Sequence, residues 1–441
     1  MSVSTTNACR MCMPLGASLA FSGFAGTVPF LHGSQGCATY IRRYLISHFS
    51  EPMDIASSSV GETATIFGGE ANLRDGVANV TRVYRPEMIG VATTCLTETI
   101  GEDVAGMLAR IDSPGPLLVP VATPSYAGTH ADGFHAAVNA TVSALATAGS
   151  PDGSLNLLPG IVSTADLRHL RELAGAYGLP VRLLPDWSDR MDGVSIDHYE
   201  MVTPGGTTRE EVADAARARA SITLGGLVTS GVTLAGDLLA ERFAVPHHRL
   251  LMPIGVRLTD AFTDLLGELA GTAMPDPIAA ERGRLIDSYV DGHKYVAERT
   301  AVVFGDEDLV AGLAVWLAEI GITPALCATG GRSGHLAAEI VGAAPELDGR
   351  IRVMDDTDFR LIGEAARQIR PDLLIGHSKG YSLARELGVP LVRVGLPIHD
   401  RVGAQRIRHL GYRGTQDLFD RVANALIERR QDSSSVGYAY M

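Results

Sequence analysis

"TVPFLHGSQGCATYIRRYLISHF" occupies residues 27–49. An apolar run passes through small residues, two of them glycine, into a stretch that reads as helix. Strand, tight loop and helix in that order make half of a βαβ crossover, and the order recurs along the chain. Further β-type runs stand at 88–95 ("MIGVATTC"), 117–123 ("LLVPVAT"), 155–162 ("LNLLPGIV"), 181–186, 221–227, 301–306, 324–330, 350–356, 372–377 and 390–397. Helical patterns lie between them, such as "STADLRHLRELAGAYG" (163–178) and "DLVAGLAVWLAEIG" (308–321). Apolar strands alternating with helices predict an α/β fold of parallel sheets with right-handed crossovers. The pattern divides into units at 1–150, 151–297 and 298–400. Residues 401–441 then supply a C-terminal helix ("GTQDLFDRVANALIERR") and a tail that pack back on the body. The last residues, "QDSSSVGYAYM", read as loose or partner-bound.

With 441 residues, 46% hydrophobic and 20% charged, the chain has ample material for several cores. No apolar run reaches the ~18 residues a membrane span needs. The start, "MSVSTTNACRMC", lacks the charged and apolar regions of a secretory signal, so a cytoplasmic location is expected. A net charge of −13 argues against general nucleic-acid binding, which needs a basic face. No G-x-x-x-x-G-K-[ST] occurs, so nucleotide hydrolysis, where needed, belongs to another protein. The loop "ATGGRSGH" (328–335) reads as an anion cradle or a tight connection.

Four of the five cysteines, Cys9, Cys12, Cys37 and Cys95, fall in the first hundred residues, and Cys327 stands apart within an apolar strand. Soft thiolates suit iron–sulfur clusters. Cys37 sits at a helix start, where free N–H groups and the dipole favour thiolate. Cys95 is expected at a strand end, facing the crevice where open parallel sheets collect ligands. Cys9 is expected on a short polar leader with little to fix it. The residues alone leave three readings open: a shared cluster, inert buried thiols, or a redox or zinc half-site at Cys9–Cys12 that lacks a second ligand pair.

"CMPLGASLAFSGFAGTVPFLHGSQGCATYIRRYLISHFSEPMDIASSS" (12–59) resembles the β-type subunit of nitrogenase component 1. The likeness continues through "YRPEMIGVATTCLTETIGEDV" and "TPSYAGTHADGF" to "VPLVRVGLPIHDRVGAQRIRHLGYRGTQDLFDRVANALIE". It implies three Rossmann-like α/β domains around a shallow cleft. It implies pairing with an α-type subunit in an α2β2 heterotetramer, and an inter-subunit P-type iron–sulfur cluster (8Fe-7S, or 4Fe-4S). The matching ligand positions are Cys12, Cys37 and Cys95. Cys9 matches none, and Thr129 stands where the family carries a serine ligand. The resemblance also implies a separate ATP-dependent iron–sulfur reductase that docks transiently, and an active-site cofactor held by the α-type subunit. With no Cys between 96 and 326, this chain relays electrons and carries no catalytic side chain of its own.

Three complete cysteines and a short start fit best a nitrogenase-like reductase of the methylthio-alkane reductase type. The N-type subunit of the cofactor-assembly scaffold and the β subunit of a dinitrogen-reducing nitrogenase are the other candidates. A metabolite-binding module with buried cysteines is the reading of a different class. Backbone N–H groups of loops 33–36 and 101–103, and the hydroxyls of Ser34, Ser57 and Thr94, are candidate donors to cluster sulfur. His32 and His130 read as tuning groups or structural histidines, and Asp400–Arg401 as structural.

Overall fold

A computed structural model describes residues 7–111, 115–195, 197–198 and 200–436. The expected loose end therefore lies in part, at 437–441, outside the described residues. The chain forms two compact units, one of residues 11–167 and 180–249, the other of 1–10, 168–179 and 250–441.

The first unit holds two sheets. One has the order β2-β1-β3-β4, from β1 (Thr27–His32), β2 (Ala56–Ser57), β3 (Met88–Thr93) and β4 (Leu117–Val121). The other has the order β6-β5-β7-β8, from β5 (Leu155–Leu158), β6 (Val181–Leu183), β7 (Ala220–Leu224) and β8 (His247–Leu250). β1 and β3 are buried along their whole length, as near-continuous apolar runs in a parallel sheet should be. They pair in parallel with His32 opposite Thr93, so their carboxyl ends lie side by side. Helix Met13–Ser22 is buried at all ten positions, as a helix apolar all round must be. It packs on helix His130–Leu145 through glycines. A Cβ on Gly16 would stand 1.7 Å from the His130 carbonyl oxygen, and one on Gly133 would stand 2.0 Å from that of Met13.

The second unit carries a five-stranded sheet of order β11-β10-β9-β12-β13, from β9 (Thr300–Gly305), β10 (Thr323–Thr329), β11 (Arg352–Met354), β12 (Leu373–Gly376) and β13 (Leu391–Arg393). Every pairing within it is parallel. The C-terminal helix, Gly411–Ser433, packs back on helix Asp276–Val296, with Tyr289 and Phe419 rings 5.1 Å apart. Asp400 accepts two hydrogen bonds from Arg393 at 2.8 and 2.6 Å, a structural role. Among the described residues no helix is long and apolar enough to cross a membrane.

In this unit Glu307, 5% exposed, opens helix Glu307–Glu319. Burial, reinforced by Asp308 and Asp355, lifts its pKa to about 7, against the Ser333 N–H and hydroxyl that bond the carboxylate. The folded value lies above the unfolded 4.5, so folding takes up a proton here. This group's contribution is fully present below the unfolded pKa and falls as pH rises toward about 7. Glu307→Gln should flatten that slope, by an amount on the order of 2–3 kcal/mol. Denaturation midpoints of the two proteins at pH 5 and pH 8 check it. Equal slopes would contradict the assignment.

Candidate functional site

The carboxyl edge of the first sheet is stitched by short polar contacts. Thr94 N–H and Thr97 Oγ1 both donate to the His32 carbonyl, at 3.1 and 2.9 Å. Thr123 Oγ1 donates to the Thr93 carbonyl at 2.6 Å, and Thr123 N–H to Thr93 Oγ1 at 2.7 Å. The ends of β1, β3 and β4 are thereby held together, and the loops leaving them carry the thiols.

Cys37 is the third residue of helix Gln35–Phe49, which follows β1. Ser34 Oγ lies 3.5 Å from its sulfur, as a donor. Cys95 is not on the strand itself. β3 ends at Thr93, and Cys95 is the first residue of the short helix Cys95–Thr99, because Thr94 caps that helix and turns the chain. Ser125 N–H, beyond β4, donates to Cys95 Sγ at 3.3 Å. Cys12 is the capping residue of helix Met13–Ser22. The segment before it is pinned by the His130 N–H donating to the Met11 carbonyl at 3.1 Å.

All three thiols are free, Cys95 exposed and the other two half-buried. Burial raises the Cys12 pKa, and negative charge at Cys37 and Cys95 raises it further, against the lowering effect of the Leu15 N–H. Cys12 thus lies within electrostatic reach of the other two thiols. Among the described residues no group of three or more His, Cys, Asp or Glu side chains is gathered as for one metal ion.

Gly33 sets the spacing between two of these loops. A Cβ there would meet Thr94 Oγ1 at 2.0 Å and Thr94 Cβ at 2.8 Å. Gly33→Ala should cost roughly 1–3 kcal/mol by overpacking and displace the loops of Cys37 and Cys95 together. Thermal unfolding, with thiol labelling of both cysteines, checks it. Unchanged labelling at either position would contradict the shared constraint.

The flanking groups are taken up by the protein. Gly33 N–H donates to Ser58 Oγ at 3.0 Å, Gly101 N–H to the Glu98 carbonyl and Glu102 N–H to that of Thr97, both at 3.2 Å. Those three N–H groups are therefore not free for cluster sulfur. Ser57 Oγ donates to the Gly33 carbonyl at 3.4 Å, Thr94 Oγ1 is buried with no partner within the protein, and Ser34 faces a thiol. His32 is fully buried between Ser58 Oγ (2.9 Å) and Glu102 Oε2 (2.6 Å), a structural network. Burial lowers its pKa, against Glu102. His130 Nδ1 accepts from Met11 N–H at 3.4 Å, so it too supports the Cys12 segment. Thr129 caps helix His130–Leu145, its hydroxyl donating to Asp132 at 3.1 Å.

Cys9 corrects the sequence expectation. It is 2% exposed and packs with Val302, Phe304 and Leu374 in the second unit, because residues on either side of it bond to that unit's loops. Cys327 is fully buried in β10, as expected. Burial pushes both thiols up to about 12. Sequence reading missed Ser125 and Glu102. The first sits on a loop after a strand, the one signal that pointed to it. The second, in "TETIGEDV", bonds His32 across 70 residues of sequence, a contact no local pattern announces.

The family model "Nitrogenase component 1 type Oxidoreductase" matches residues 12–427. The chain is 37% identical to the nitrogenase molybdenum-iron protein beta chain of Methanothermobacter marburgensis, over 94% of this chain and 93% of that one. It is 33% identical to the nitrogenase vanadium-iron protein beta chain of Trichormus variabilis, over 94% and 92%. A solved structure titled "Nitrogenase Cp1 at pH 6.5" superposes with a TM-score of 0.96 at 32% identity, covering 100% of this chain and 97% of that one.

Proposed function

The chain belongs to the nitrogenase component 1 type oxidoreductases, and from that premise we propose that it is a β-type subunit holding, through Cys12, Cys37 and Cys95, half the ligands of an inter-subunit iron–sulfur cluster. The observation that carries this is three free thiols in one unit, Cys37 and Cys95 on the segments that leave the paired strands β1 and β3, and Cys12 within reach of charge at both. When bound, such a cluster supplies one-electron relay between an ATP-hydrolysing reductase and the α-type partner. The Ser34 hydroxyl and Ser125 N–H stand where donors to cysteine sulfur tune a cluster.

Exposed apolar residues lie on the same unit. Ile66 and Phe67 are 76% and 82% exposed, and Tyr40, Tyr44 and Tyr126 are also exposed, the first two on the helix of Cys37 and the last beside the loop of Cys95. Such a surface suits coverage by partners. Reduction of substrate by the purified complex should require the reductase and ATP together. Turnover sustained by flavodoxin without ATP would overturn the reading.

On substrate, the complete cysteine set favours a working reductase, of the methylthio-alkane reductase type, over the assembly scaffold. A second reading, dinitrogen reduction, is favoured by the 37% identity and near-equal length to a molybdenum-iron beta chain. Length therefore does not separate the two. The reconstituted complex supplied with each substrate decides between them. Methanethiol supports the first reading and ammonia the second, whereas neither product points to a cofactor-assembly scaffold.

A further inference from the structure

Asp132 is 2% exposed, in the first turn of helix His130–Leu145. A buried carboxylate is tolerated only where donors surround it, and four do so here. Thr129 N–H and Thr129 Oγ1 donate to its Oδ2 at 2.7 and 3.1 Å. Thr229 Oγ1 donates to the same oxygen at 2.9 Å, and Thr229 N–H to Oδ1 at 2.7 Å. The first pair closes the start of the acid's own helix, as a capping box does. The second pair reaches further. Thr229 is 97 residues away in sequence, on the loop that leaves β7 of the second sheet. Asp132 therefore ties the two sheets of this unit together. The same helix turn seats the segment of Cys12. His130 N–H donates to the Met11 carbonyl at 3.1 Å, and Met11 N–H to His130 Nδ1 at 3.4 Å. On the other side of Cys12, the Met13 backbone lies against Gly133, where a Cβ would stand 2.6 Å from the Met13 carbonyl carbon.

We propose that Asp132 is a positioning residue for Cys12. It anchors the helix turn that grips Met11 and Met13, and it draws that anchorage from the loop of the second sheet. The backbone around Cys12 is thereby set before iron arrives, so ligation need not order it. Cys37 and Cys95 stand instead on the helices that follow β1 and β3, so loosening this anchor acts on Cys12 first. The long helix is tied to the second sheet again by Asn139 Nδ2, which donates to the Thr233 carbonyl at 2.7 Å. Loss of the Asp132 anchor thus leaves a second stitch in place. The inference rests on Cys12 being a cluster ligand, as proposed above.

Three variants test the anchor in the complex co-purified with its α-type partner. Asp132→Ala removes the acid, Thr229→Val removes one of its donors, and Thr229→Ser keeps that donor. Iron is drawn out anaerobically with a chelator, and alkylation of each cysteine is followed by mass spectrometry as iron leaves. Asp132→Ala should release iron about tenfold faster, the equivalent of about 1.4 kcal/mol, and Thr229→Val by a smaller factor. In both, Cys12 should be alkylated ahead of Cys37 and Cys95. Thr229→Ser should keep the wild-type rate and order. Unchanged release, or faster release with the three cysteines labelled together, would overturn the positioning role. Alkylation of Cys12 in the wild-type complex before any iron leaves would instead remove Cys12 from the ligands and overturn the reading beneath it. If Asp132→Ala does not assemble, Thr229→Val, which alters a half-buried loop side chain, carries the test.

Discussion

Cys37→Ala is expected to strip the cluster iron from the complex and to lower its activity by at least about 100-fold, the two losses moving together. Even groups that only touch metal ligands are worth 10- to 100-fold, and Cys37 is proposed as a ligand. Its thiol lies in the first turn of helix Gln35–Phe49 and faces the Ser34 hydroxyl. Ser58 is engaged with Gly33 and His32, and the Ser34 hydroxyl beside the thiol is a harder ligand than the soft thiolate it would replace. Iron left open to water at that corner should be lost. Metal analysis and turnover of the same preparation check both halves. Cys327→Ala and Cys9→Ala remove sulfur from buried cores and should spare both iron and activity. If the Cys9 variant loses the cluster while the Cys12 variant keeps it, the ligand assignment at that end of the chain is wrong.

Produced without an α-type partner, the chain is expected to hold no full complement of iron and to aggregate or unfold early. Three thiols supply only half of the ligands proposed, and Cys95 is exposed in the isolated chain. Ile66, Phe67 and Tyr40 are exposed as well, an aggregation liability when no partner covers them. Co-expression should instead yield an α2β2 heterotetramer. Gel filtration and iron analysis of the two preparations separate the cases. A stable monomer with a full complement of iron would sink the shared-cluster account.

Much of the fold was legible because parallel strands buried on both faces must be apolar runs. "MIGVAT", "LNLL" and "TPALCAT" are strands in the structure, at β3, β5 and β10. β8 was not legible. It reads "HHRL", a polar edge stabilised by His247 bonding Thr223 and Asp237. β2, of two residues, is too short to leave a period. At the site, the cysteine positions were legible from their motifs, but their backbone settings were not. Cys95 leaves the strand because a Thr94 cap competes successfully with strand continuation. Cys9 looked unsupported because its partners lie more than three hundred residues away, at Gly330, Thr357 and His377. Composition carries no trace of such a contact. The Gly33 N–H looked available for the same reason, since its acceptor, Ser58 Oγ, comes from a distant turn.

The most direct test is an anaerobic crystal structure of the complex co-purified with its α-type partner, with iron located by anomalous scattering. The account predicts iron at bonding distance from the sulfurs of Cys12, Cys37 and Cys95, with the remaining ligands from the partner and none from Cys9 or Cys327. Iron bound at Cys9, or a cluster that leaves any of the three free, would contradict it.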